Sequence, residues 1–108
     1  MATVTTVPIS VSPEATARVA DLGFQKEFEQ LVERARTTIH GVRRIEVQLE
    51  PQYDLGDEDR VVIWIQIAED QLLNNSSFTE YIQWMLRTFS PDVYSNILPV
   101  DSVAGPDQ

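Results

Sequence analysis

The segment RVVIWIQIAED, residues 60–70, reads as a strand with Val61, Ile63, Ile65 and Ile67 on one side and Val62, Trp64, Gln66 and Ala68 on the other. The period is that of a β-strand, yet both sides carry hydrophobic groups, whereas a strand covered on one face needs only one apolar side. Upstream, Ile45, Val47 and Leu49 alternate with Arg44, Glu46, Gln48 and Glu50. The two runs form a hairpin across the loop PQYDLGDED. Pairing Glu50 with Arg60 sets opposite charges across from each other and aligns Leu49 with Val61, Val47 with Ile63 and Ile45 with Ile65. One face is then wholly apolar. The reverse face is polar on the first strand and apolar, through Val62 and Trp64, on the second.

Around the hairpin the pattern changes period. Val7, Ile9 and Val11 alternate with Thr6, Pro8 and Ser10, so the segment Val4 to Val11 reads as a half-buried strand that Pro8 confines to a sheet edge. If it pairs parallel with the hairpin, its helical crossover is expected to be right-handed. Ser12 and Pro13 mark a helix start, and Ala15, Val19 and Leu22 give that helix its apolar face. Gly23 interrupts the phase, and Phe24, Phe28, Leu31, Val32, Ala35 and Ile39 begin a longer stripe that ends at Gly41. Glu27 and Glu29 near the start of this helix, and Arg34, Arg36 and His40 near its end, suit the helix dipole, and His40 reads as part of that helix end rather than as a catalytic base. A further helix is expected over SFTEYIQWMLRTF, with Ser77 and Glu80 as a capping box and Phe78, Tyr81, Ile82, Met85, Leu86 and Phe89 as its buried stripe. Ser90 and Pro91 stop it and start a short turn of another.

These elements predict one α+β domain over residues 1–108: two layers, a β-hairpin or small three-stranded sheet packed on two main helices. The remaining tail, 91–108, holds Val93, Tyr94, Ile97, Leu98 and Val100 without a sustained period. It either covers the hairpin's reverse side or is ordered by a partner. Trp64 on that reverse side and Trp84, off the stripe of its helix, are large side chains to be buried or used in binding. The candidate partner-binding residues are therefore Trp64, Val62, Trp84, Tyr94, Ile97 and Leu98.

Charge narrows the partners. Seventeen Asp and Glu against eight Lys and Arg give a net charge of -9, a field that repels nucleic-acid phosphates and anionic lipid and favours a basic protein. DNA reading by the helix pair around Gly23 is further opposed by Glu27 and Glu29, which lie where a recognition helix meets phosphate. Without cysteine there are no disulfides, thiolate nucleophiles or zinc-thiolate sites, and one histidine builds no multi-histidine site. Asp54, Asp57, Glu58 and Asp59 lack the alternating acids of a helix-loop-helix calcium site, so no metal or other cofactor is expected. No nucleophile elbow or phosphate-binding loop is present. The opening MATVTTVPISVSPE has neither a basic start nor a long apolar core, and no run reaches membrane-spanning length, so a cytoplasmic protein without membrane association is expected, with Asn74 and Asn75 of NNSS as loop residues.

In size, charge, the VSPEATARVADLG…FEQLVERAR opening and the RTFSPDVYSNILPV close, the chain resembles the small acidic bacterial proteins that form the neutralising half of toxin-antitoxin pairs. The resemblance implies binding and masking of a cognate partner through the tail and Trp84. The chain departs from DNA-binding antitoxins in having no reading head, and from nucleotidyl-transferring ones in lacking their Gly-Ser and paired-Asp motif. The expected function is a non-enzymatic protein-interaction module, an antitoxin-like inhibitor of a basic partner or a homodimer burying Trp64 or Trp84. The alternative is a small enzyme or ligand-binding domain using carboxylates in a cleft between sheet and helices.

Overall fold

The computed structural model describes residues 7–50, 60–72 and 75–103. The chain runs β1 (Ile9–Val11), α1 (Pro13–Leu22), α2 (Gln25–Thr38), β2 (Val42–Glu50), β3 (Arg60–Ile67), α3 (Glu69–Leu72), α4 (Ser76–Thr88), α5 (Pro91–Tyr94) and β4 (Ile97–Val103). The fold is α+β, but the sheet has four strands rather than the expected two or three, in the order β1-β2-β3-β4. The central hairpin adopts the register that charge pairing predicts, with Glu50 opposite Arg60, Val47 opposite Ile63 and Ile45 opposite Ile65. β1 pairs parallel with β2, and β4 pairs parallel with β3.

The fourth strand comes from the tail. A single chain of 97–103 has no visible strand partner in the sequence, because parallel pairing is specified by the crossover that carries it back to the sheet and not by local alternation. Here Ile97 stands opposite Val61, Leu98 opposite Val62 and Val100 opposite Trp64. Residues 97–103 therefore extend the sheet beside β3 and do not lie across its reverse face.

A single core joins the helices to one side of the sheet: Ala15 and Val19 of α1, Leu31, Val32 and Ala35 of α2, and Tyr81 and Met85 of α4 cluster with Ile45, Val47, Val61, Ile63, Ile65, Ile67 and Ile97. The Tyr81 hydroxyl donates to the Leu31 carbonyl at 2.8 Å inside this core, fixing α4 against α2. Since β1 and β2 run opposite to β3 and β4 while all these helices lie on one face, the two parallel crossovers turn in opposite senses. One of them is thus left-handed. Each spans helices broken by turns, which relaxes the constraint that a single packed helix imposes on handedness.

Local signals place the helix ends. The Ser12 hydroxyl accepts from the Ala15 N–H at 3.1 Å, and Gly23 takes the left-handed conformation that closes α1. The cap of α4 is Asn75 and not Ser77. Asn75 does more than an N-cap serine: its Oδ1 accepts from the Phe78 N–H, while its Nδ2 donates to the carbonyls of Gln71 and His40. The Ser77 hydroxyl is drawn instead to the His40 backbone N–H at 2.9 Å. The stripe of α4 is also rotated from the expected one. Leu86 is 50% exposed, while Trp84 packs against the core, because α4 lies beside α2.

Candidate functional site

Among the described residues no helix packs on the reverse face of the sheet. Strand alternation puts Val62 and Trp64 of β3 there, and the β4 register sets Leu98 and Val100 beside them. Four apolar side chains thus make a square spanning β3 and β4. Val62 at its inner corner is 7% exposed, while Trp64, Leu98 and Val100 are partly exposed. The neighbouring column on β2 is polar, with Gln48 opposite Val62 and Glu46 opposite Trp64.

Hydrogen bonds tie the two halves of this face together. The Trp64 indole N–H donates to Glu50 Oε2 at 2.8 Å, and Gln66 Nε2 donates to Glu46 Oε1 at 3.0 Å. Arg44 lies 3.6 Å from Glu46 and Arg60 stands opposite Glu50, so the acids on the face have basic neighbours. The consequence for Trp64 is orientation. Its polar edge is satisfied within the chain and its ring is held on the sheet, which lowers the side-chain entropy a partner would have to overcome.

The six candidate partner-binding residues divide between two places. Val62, Trp64 and Leu98 share the helix-free face. Ile97, next to Leu98 in the chain but on the opposite side of β4, is wholly buried in the core, and Tyr94 packs against that core. Trp84 sits in the seam of α2 and α4, its ring 5.9 Å from Tyr81 and edge-on to Phe89 at 5.4 Å, with the Arg34 guanidinium 4.8 Å above it. The residue that the sequence reading assigned only to the tail is Val100. Its signal was available, as it lies two positions from Leu98 and so on the same strand face.

A cleft of about 350 Å3 opens at the seam, lined by Arg34, His40, Ser77, Glu80 and Trp84 among others. Its one serine with a defined role is structural: the Ser77 hydroxyl accepts from the His40 backbone and donates to Asn75 Oδ1. Nearby, the Arg36 guanidinium, hydrogen-bonded to Glu33, holds that exposed carboxyl below its ordinary range. Burial pushes the Tyr81 phenol up. Among the described residues no group of three or more His, Asp or Glu is placed to hold a metal ion, and no helix is long and apolar enough to cross a membrane. The acidic residues Asp54, Asp57, Glu58 and Asp59, like Asn74, lie outside the described residues. Comparison of the chain with family models, with curated proteins and with solved structures finds no match.

Proposed function

We propose that this protein is a non-enzymatic interaction module whose docking surface is the helix-free face of the sheet. One observation carries the reading: Trp64, Leu98 and Val100 remain partly exposed around a buried Val62, with residues 97–103 in the sheet and not over it. An oriented tryptophan beside small apolar neighbours, rimmed by Glu46, Gln48 and Glu50, has the layout of an interface centre with a polar border. Four side chains are well short of the roughly 800 Å2 per partner of a standard interface, so the polar β2 column belongs to the contact. The net charge of -9 favours a basic partner through faster encounter.

In its more specific form the module is an antitoxin-like inhibitor of a toxic protein encoded beside it, and the partner meets Trp64 rather than Trp84. The test is co-expression. The neighbouring gene product should arrest growth alone, be rescued by this chain, and escape rescue by the Trp64→Ala and Val100→Lys variants at unchanged thermal stability. Loss of a central tryptophan is expected to weaken binding about 30-fold, equivalent to about 2 kcal/mol. Full rescue by both variants would show that the face is not the docking surface. Absence of any rescue by the unaltered chain would remove the inhibitor reading.

A further inference from the structure

The two edges of the sheet are unlike. In parallel pairing the N–H and C=O of every second residue turn toward the neighbouring strand and the others turn away. The Val61 N–H donates to the Asn96 carbonyl, so in β4 the even positions face β3 and Ile97, Pro99, Asp101 and Val103 face outward. Pro99 has no N–H to offer, and this edge is blocked at its middle. In β1 the Ile45 N–H donates to the Pro8 carbonyl and the Ser12 N–H to Val47, so the even positions again face inward. The outward groups belong to Ile9, Val11 and, by the same alternation, Val7. None of these is proline or charged, and Pro8 lies on the inward side.

Side chains agree with the backbone. Ile9 and Val11 are 40% and 36% exposed, two of the four large hydrophobic residues of which this is true among the described residues. No described strand lies beyond β1. Residues 1–13 contain no Asp, Glu, Lys or Arg, although the chain carries -9 in all. Residues 7–12 themselves therefore add no like-charge repulsion when two equally acidic copies approach along this edge.

We infer that β1 pairs antiparallel with β1 of a second copy, about a two-fold axis through Ile9, to form a continuous eight-stranded sheet. The segment is complementary to itself in this register. Ile9 meets Ile9 and Val7 meets Val11 as hydrogen-bonded pairs, while Pro8 meets Ser10 at a position where no N–H is required. Because such an axis is perpendicular to the sheet, both Trp64 faces point the same way and the dimer is bivalent toward a partner. The β1 pairing itself is independent of the docking reading, since it uses no residue of that face; only the bivalency rests on it.

Sedimentation of the full chain from micromolar to millimolar concentration tests it. Mass should rise from one chain to two, and association should tighten with salt, which screens repulsion between like-charged copies. Ile9→Pro removes an N–H that the monomer does not use and should abolish the rise while leaving the circular-dichroism melt in place; Val11→Lys should do the same. The chain has no native cysteine, so Ile9→Cys reports directly. Opposed Cα atoms in a hydrogen-bonded pair are about 5.5 Å apart, within disulfide range, and oxidation should link Ile9→Cys chains far faster than Gln83→Cys chains. Monomer mass at every concentration overturns the inference, as does a dimer that survives Ile9→Pro or equal cross-linking at the two sites. A dimer lost on Trp64→Ala but kept in Ile9→Pro would place the contact on the sheet face.

Discussion

Gly23 and Gly41 both hold left-handed backbone, at φ 75° and 83°, but only Gly41 is also hemmed in by its surroundings. A Cβ at Gly41 would lie 2.5 Å from the Cβ of Gln71, whereas at Gly23 it meets nothing within 4 Å. Gly23→Ala should therefore cost only the left-handed penalty, about 1–2 kcal/mol, and Gly41→Ala measurably more, read as the difference in urea midpoints. Tyr81 offers a second test. Its hydroxyl reaches the Leu31 carbonyl in the core, and Tyr81→Phe should lose about 1 kcal/mol. Since burial raises the folded-state pKa of this phenol above the unfolded value near 10, the neutral form is favoured in the fold. Its contribution is fully present below about pH 10 and declines as pH rises toward the folded-state value, so the extra alkaline loss of stability should be absent in Tyr81→Phe. At this scale Trp84 was only half legible. Its size marked it as a residue to be buried or used, but the wheel of α4 could not show that α2 would lie on its flank.

Among the elements, β4 decides what the site is. Ile97 and Leu98 are chain neighbours pointing to opposite sides, one wholly buried and one partly exposed on the helix-free face. Ile97→Ala should cost about 2–5 kcal/mol, a large share of the stability of a small domain, while Leu98→Ala should spare the melt and weaken docking. In the isolated chain the amides of Leu98 and Val100, which turn toward β3, should resist hydrogen exchange without any partner present; rapid exchange there would mean that the tail is not held by its own sheet. The hairpin was readable to the residue because charge pairing and a buried face both select one register. The parallel strands were not. Their partners are set by crossovers through α1 and α2 and through α3 to α5, which share a face of the sheet and so turn in opposite senses.

For the whole molecule, with its charge of -9, the proposed docking of a basic partner and the proposed β1 pairing predict opposite salt responses. Docking of a basic partner should weaken with added salt, as screening removes the attraction between unlike fields, whereas self-pairing through β1 should strengthen. Titrating each association across ionic strength separates them. If both hold, a dimer with two Trp64 faces on one side binds a two-fold partner more tightly than the sum of its contacts suggests, and Ile9→Pro should reduce that avidity without touching the face.

What the sequence determined alone is local: the alternation of β2 and β3 and their register, the break at Gly23, the Ser12 cap, and the surplus of apolar groups at Val62 and Trp64 that marked one strand face as unusual; α2 itself ends earlier than expected, with Ile39 and not Gly41 as its cap. Each rests on residues close in the chain or paired through one turn, so neighbouring side chains carry the information. Tertiary structure decided the rest. The return of the tail beside β3 completed the apolar square with Leu98 and Val100, buried Ile97, blocked one sheet edge with Pro99 and left the other open at Ile9. These outcomes depend on where a crossover lands, and no local period encodes that.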